Sequence, residues 1–152
     1  MSFFNTSPTT ATKTLRVLAH LLSYPDAELR SHLSELQSAL HDEGALSGAR
    51  LAELDALITR LSRRRPLDVE ADHVELFDRG RGTALHLFEH VHGDSRDRGP
   101  AMVDLCQTYE AAGLFLAPGE LPDHLTVVLQ YASTQPPAQA KAFLGEIAHI
   151  LQ

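Results

Sequence analysis

The chain has 152 residues, enough for one well-buried domain and too few for two comfortable ones. Its formal charge of −7, with Arg63-Arg64-Arg65 as the single basic run, argues against nucleic acid and favours a cationic partner such as a basic peptide. One cysteine excludes an internal disulfide and fits a reducing compartment; no stretch reads as a membrane span or cleavable signal, so a cytoplasmic location is expected.

Residues 1–9 read as a flexible lead-in and residues 10–152 as one helical domain. A first helix begins near Thr10, with Leu15, Leu18, Ala19 and Leu22 on one face, and stops at Tyr24-Pro25 because a residue before proline leaves the α region. Asp26 caps a second, with Leu29, Leu33, Leu36 and Leu40 as its stripe and Gly44 closing it. Ser47 opens a third, carrying Leu51, Leu54, Leu57, Ile58 and Leu61. Arg63, Arg64 and Arg65 stand at its C-terminal end, where cations suit the helix dipole. After Pro66, Asp68 can cap a short fourth helix with Val74 and Phe77, ending at Gly80.

A fifth helix follows from the spacing of Ala84, Leu87, Phe88 and Val91, and Gly93 should end it. That spacing puts His86 and His90 together on the polar side. Asp94 to Arg98 alternate acid and base in a solvated loop, and Pro100 starts a sixth helix running to Gly113 with Met102, Leu105, Cys106 and Tyr109 inward. Cys106, in the middle of that stripe, reads as a buried hydrophobe. Residues 114–121 read as a loop. Pro122 starts a seventh helix with Leu125, Val128, Leu129 and Ala132, and an eighth after Pro136-Pro137 carries Ala140, Phe143, Leu144, Ile147 and Ile150. No segment alternates with period two, so the expected fold is an all-α, single-domain bundle of about seven or eight helices.

Fourteen positions, His86 to Gly99, hold three histidines, three carboxylates, two arginines and two glycines, a density that a simple connector does not need. His86-Leu87-Phe88-Glu89-His90 matches the pattern in which two histidines one helical turn apart bind zinc and the glutamate acts as base. A hydrolytic zinc needs a third ligand and a dry cleft, and nothing selects among Glu110, Glu120 and Glu146 as that ligand. A zinc hydrolase on His86, Glu89 and His90 is therefore the competing class, and the residues point first to a surface that presents donors and acceptors.

The run from Phe88 to Gly99, continuing through Ala101-Met102-Val103-Asp104-Leu105, closely resembles the central motif of NarJ-like proteins, the nitrate reductase branch of the TorD/DmsD/NarJ redox-enzyme maturation family. Glu120-Leu121-Pro122-Asp123-His124 is similar to a signature of the wider family, and Leu21-Leu22-Ser23-Tyr24-Pro25 to the end of its first helix. Two departures stand out. The chain stops at Ile150-Leu151-Gln152, so the family's acidic C-terminal segment is expected to be absent, and Pro100 replaces a glutamine.

The resemblance implies a cytoplasmic helical chaperone without catalytic activity, metal or cofactor of its own. Its implied partners are the nitrate reductase catalytic α subunit with its basic, partly apolar N-terminal peptide, and molybdenum-cofactor delivery proteins. A helical adaptor for another basic peptide is the third reading. Peptide binding would be helix-in-groove with carboxylates at the rim. Asp94, Glu120 and Asp123 would supply charge, Phe88, Met102 and Tyr109 the groove wall or its support, and His90, His92 and His124 hydrogen bonds. Glu89, Arg96 and Arg98 belong to the same candidate surface, while Tyr24, Pro25, Gly93, Gly99 and Pro122 shape the chain.

Overall fold

Helix α1 (Thr12–Leu22) has two apolar faces, each the base of a separate hydrophobic cluster. The computed structural model of the chain describes residues 10–91 and 96–148. On one side of α1, Leu15 and Ala19 meet Leu129 and Ala132 of α8 (Leu125–Thr134) and Ala140 of α9 (Pro137–Ala148), with Phe143 and Leu144 packed behind. On the other side, Val17 and Leu21 meet Leu33 and Leu40 of α3 (Leu33–Glu43) and Ile58 of α4 (Gly48–Arg63). Each fully buried leucine contributes roughly 2 kcal/mol, so these two clusters supply much of the driving force.

Between α1 and α3 lies α2 (Ala27–Ser31), capped as expected by Asp26, whose Oδ1 accepts from Leu29 N–H at 2.8 Å. The single second helix that the leucine spacing suggested is broken at His32, whose backbone (φ −104, ψ 5) leaves the helical region. Gly44 closes α3 in the left-handed conformation (φ +68). Just before it, Glu43 reaches across to α1, its two oxygens accepting from Lys13 N–H at 2.9 Å and Thr14 N–H at 2.7 Å. Those donors have no partner inside α1, so a side chain 29 positions away does the work of an N-cap.

The corner after α4 is ionic. Arg64 bonds Asp72 of α5 (Pro66–His73), Arg60 lies 3.6 Å from the same carboxylate, and Arg65 pairs with Asp68 at 3.9 Å. Asp68 therefore does not cap α5, which starts with Pro66 instead. The helix widens into a π turn, Val74–Asp78, and a 3-10 turn, Arg81–Thr83, follows. α6 (Leu87–Val91) is short, α7 (Arg98–Ala111) begins two residues before Pro100, and α8 begins three residues after Pro122. The described residues thus contain nine α-helices and no strand beyond an isolated bridge between His86 and His124. The all-α class is as expected, and the break at His32 adds a helix to the expected count. No helix among the described residues is long and apolar enough to cross a membrane.

Candidate functional site

The polar motif meets the proline-aspartate-histidine piece at one junction. Asp123 is fully buried and accepts two backbone bonds, its carbonyl from Leu87 N–H at 3.0 Å and its Oδ2 from Phe88 N–H at 3.0 Å; two residues on, Leu125 N–H donates to the Leu85 carbonyl at 2.8 Å. Asp123 thereby satisfies the first turn of α6, where a carboxylate also suits the helix dipole. Its Oδ1 lies 3.5 Å from His86 Nδ1, and neither buried atom has another hydrogen-bond partner. Tyr109 of α7 closes the junction, its hydroxyl donating to the Pro122 carbonyl at 2.8 Å, and burial pushes its phenol pKa up.

His86 and His124 stack edge to face with centroids 4.9 Å apart, beside a hollow of about 460 Å³ that also receives Glu120, Thr126 and Gln130. His124 Nδ1 accepts from Thr126 N–H at 3.3 Å, capping α8. Burial, helped by the neighbouring His86, lowers the His124 pKa. The zinc pattern does not survive this geometry. His86 precedes α6 and pairs with His124, whereas His90 lies within the helix and its Nε2 contacts the Ala84 carbonyl at 2.8 Å, so the two imidazoles do not share a helical turn. No group of three or more potential metal ligands occurs among the described residues.

The remaining candidates are dispersed. Glu89, His90 and Arg96 are exposed; Phe88, Arg98 and Met102 are half-buried; Glu120 is exposed at the lip of the polar hollow. His92, Gly93 and Asp94 lie outside the described residues. Met102 joins Cys106 and Glu110 along a shallow strip beside Leu121 and Pro122. Gly99 falls in the first turn of α7, where a Cβ would meet nothing within 4 Å. Pro25 is buried, and Tyr24 sits edge-on to His73 with centroids 5.6 Å apart. Asp123 and Tyr109 are at most 2% exposed, which places both beneath the surface that a docked peptide could touch.

A second feature was not foreseen from the sequence. An open apolar groove of about 410 Å³ runs along α4, lined by Leu54, Leu57 and Leu61 on one wall, Val69 and Phe77 on the other, and Leu18, Leu22, Leu125 and Leu129 beneath. Arg60, Arg64, Asp72 and His73 complete it. Leu57, Leu76 and Tyr24 around it are exposed at 38%, 49% and 49%, too much apolar surface in one place for an ordinary solvent-facing wall. A signal for it existed: the stripe of α4 continues past what one core face needs, because Ile58 is buried in the core with Leu54 and Leu61 packed against it, while Leu57 extends round toward the groove.

Comparison with known proteins follows the same lines. The family model described as nitrate reductase delta subunit matches residues 22–150. The nitrate reductase molybdenum cofactor assembly chaperone NarJ of Escherichia coli K12 is 47% identical over 137 residues, covering 90% of this chain and 58% of its own length. A Bacillus subtilis protein named as a "Probable nitrate reductase molybdenum cofactor assembly chaperone NarJ" is 32% identical over 120 residues, 79% of this chain and 64% of its own. The chain thus spans under two thirds of the length of these relatives. Among solved structures, a proposed redox enzyme maturation protein from Archaeoglobus fulgidus superposes with a TM-score of 0.63 over 92% of this chain and 82% of its own, at 18% identity.

Proposed function

Because this chain belongs to the nitrate reductase delta subunit family, we propose that it is a client-specific assembly chaperone, a binding protein and not an enzyme. Its client is the catalytic α subunit of respiratory nitrate reductase. It holds that subunit in the cytoplasm, binds its N-terminal peptide and keeps it competent to receive molybdenum cofactor from delivery proteins before membrane attachment. The names of the two relatives above support the client, and the apolar groove along α4 is the observation that carries the binding step. An apolar, helix-lined trough suits the apolar face of a helical peptide. The exposed polar residues of the motif, Glu89, His90, Arg96 and Glu120, are free of the core and serve as contacts to the body of the client.

Titration of a synthetic peptide from the client's N terminus, followed by calorimetry, tests this reading. Leu57→Glu places a charge in the trough at a position that is 38% exposed, so the fold tolerates it while the affinity should fall at least about tenfold, the equivalent of 1.4 kcal/mol. No binding by the native chain, or equal binding by the variant, refutes the groove as the peptide site. Capture of the α subunit from nitrate-grown cells checks the client independently.

A further inference from the structure

The side of α8 turned away from the groove is uncovered as well. Leu125 and Leu129 line the groove, whereas Val127 and Tyr131, each two residues further on and so about 200° round the helix, line hollows on the other side. Three hollows of about 460, 240 and 350 Å³ open there, joined by Glu120 and Leu121 of the α7–α8 connection, each of which lines two of them. Phe115 stands on the rim of one with 78% of its surface exposed, and Leu121 and Val103 beside another are 46% and 55% exposed. One aromatic and two aliphatic side chains turned outward around a single connection resemble the apolar centre of a protein contact, unlike the isolated leucines of an ordinary surface.

The charge of this face has one sign. From Gly99 to Ala140 the sequence contains no lysine or arginine and four carboxylates. Asp123 is buried; Asp104, Glu110 and Glu120 are exposed, and the last two line the hollows. Cations of the neighbouring stretches stand outside: Arg96 and Arg98 at the start of α7, Arg16 of α1 on Ser133 Oγ at 3.3 Å, and Lys141 in a hollow between α1 and α9. No lysine or arginine is among the described residues that line the three hollows. Of the two imidazoles there, His124 is uncharged near neutral pH because burial lowers its pKa, and a proton on His86 would be balanced by Asp123 Oδ1 at 3.5 Å.

Resting on the reading that the client is the catalytic α subunit, we propose that this face is a second docking surface for it. The face takes an apolar segment of the client's body that carries lysine or arginine, while the groove holds the N-terminal peptide. Charge complementarity selects that occupant, with Phe115 as the aromatic anchor and Glu110 and Glu120 at the rim. A second copy of this chain would bring like carboxylates together across a two-fold axis, and nucleic acid or an anionic membrane would meet the same repulsion. The peptide in the groove is separated from this face by the width of α8, about 10 Å.

Photo-crosslinking in nitrate-grown cells tests this, with p-benzoylphenylalanine at position 115 or position 57 of the intact chain and the attached α-subunit segments identified by mass spectrometry. Position 115 should attach to apolar segments that bear lysine or arginine and lie beyond the N-terminal peptide, and position 57 to that peptide. Attachment from position 115 to the N-terminal peptide, to a second copy or to nothing overturns the docking. Phe115→Ser should lower capture of the α subunit at least about tenfold while titration with the N-terminal peptide stays unchanged, a combination that damage to the fold does not produce. Glu110→Gln with Glu120→Gln should flatten the salt dependence of capture, and a native salt dependence overturns the charge argument. Capture that ignores Phe115→Ser removes this surface alone, whereas a native chain that captures no α subunit removes the client reading and the surface with it.

Discussion

At the scale of single residues, the fold depends on polar groups that reach across the chain. Asp123→Ala would leave Phe88 N–H buried without its acceptor and should cost about 1–3 kcal/mol, measured as a shift in urea unfolding. Asp123→Glu should not rescue it, because a longer side chain does not fit a fully buried site. Glu43 is the second such group. Burial alone would raise its pKa, but the hydrogen bonds from Thr14 and Lys13 outweigh burial and hold it below its ordinary 4.5. A depressed carboxylate contributes stability that is present above its unfolded-state value and is lost as pH falls through the folded one. Glu43→Gln should therefore flatten the acid limb of stability and cost about 1 kcal/mol at neutral pH; an unaltered acid limb would show that the cap carries no charge dependence.

His124 acts over a different range. Its pKa is lowered from 6.5 by burial, by the neighbouring His86 and by His73, with Asp123 and Glu120 opposing. The unfolded chain thus takes up a proton more readily than the folded one, so stability is full above 6.5 and declines as pH falls through the depressed value. His73, lowered by the same cause, adds to the decline. Urea midpoints for His124→Gln should lose part of their fall between neutral and mildly acidic pH, and a slope equal to that of the native chain would contradict the assignment.

At the scale of elements, local signals and tertiary demands diverge in particular places. Asp26, Gly44 and the Leu15–Leu22 spacing predicted helix ends and faces that the structure contains, since caps and stripes depend on near neighbours. The sixth to eighth expected helices exist; the sixth starts two residues before Pro100, and the seventh three residues after Pro122, whose neighbours are drawn into the Asp123 junction. α6 is the clearest divergence: of Ala84, Leu87, Phe88 and Val91, Leu87 alone is fully buried, and Val91 is 51% exposed. A five-residue helix makes too few bonds to be stable by itself, so its register comes from Asp123 rather than from its own stripe. Nearby, the π turn closes on Gly80, where an added Cβ would come within 2.6 Å of both the Leu76 carbonyl and Thr83 Oγ1. Gly80→Ala should cost about 1–3 kcal/mol, read from thermal unfolding, and a neutral effect would mean the turn can widen.

At the scale of the whole molecule, α1 holds two hydrophobic clusters together and the trough between α4 and α5 stays open on the flank. Leu40 is fully buried in the α3–α4 cluster, so Leu40→Ala should cost about 2–5 kcal/mol, whereas Leu57→Glu in the trough should cost far less stability than binding. Comparing the two by unfolding and by peptide titration separates the surface that holds the fold from the surface left for a partner. Similar loss of stability in both variants would place Leu57 in the core.

The all-helical class, most helix faces and the family itself were legible in the chain, because periodicity, caps and a long motif are properties of neighbouring residues. The spatial pairings were not. Asp123 serves α6 from 35 positions away, Glu43 serves α1 from 29, and His86 joins His124 instead of His90. None of these partnerships leaves a mark in local spacing, since each depends on which helices lie side by side. The same holds for the groove, where Leu57 and Leu76 look like any core leucines until packing leaves them exposed.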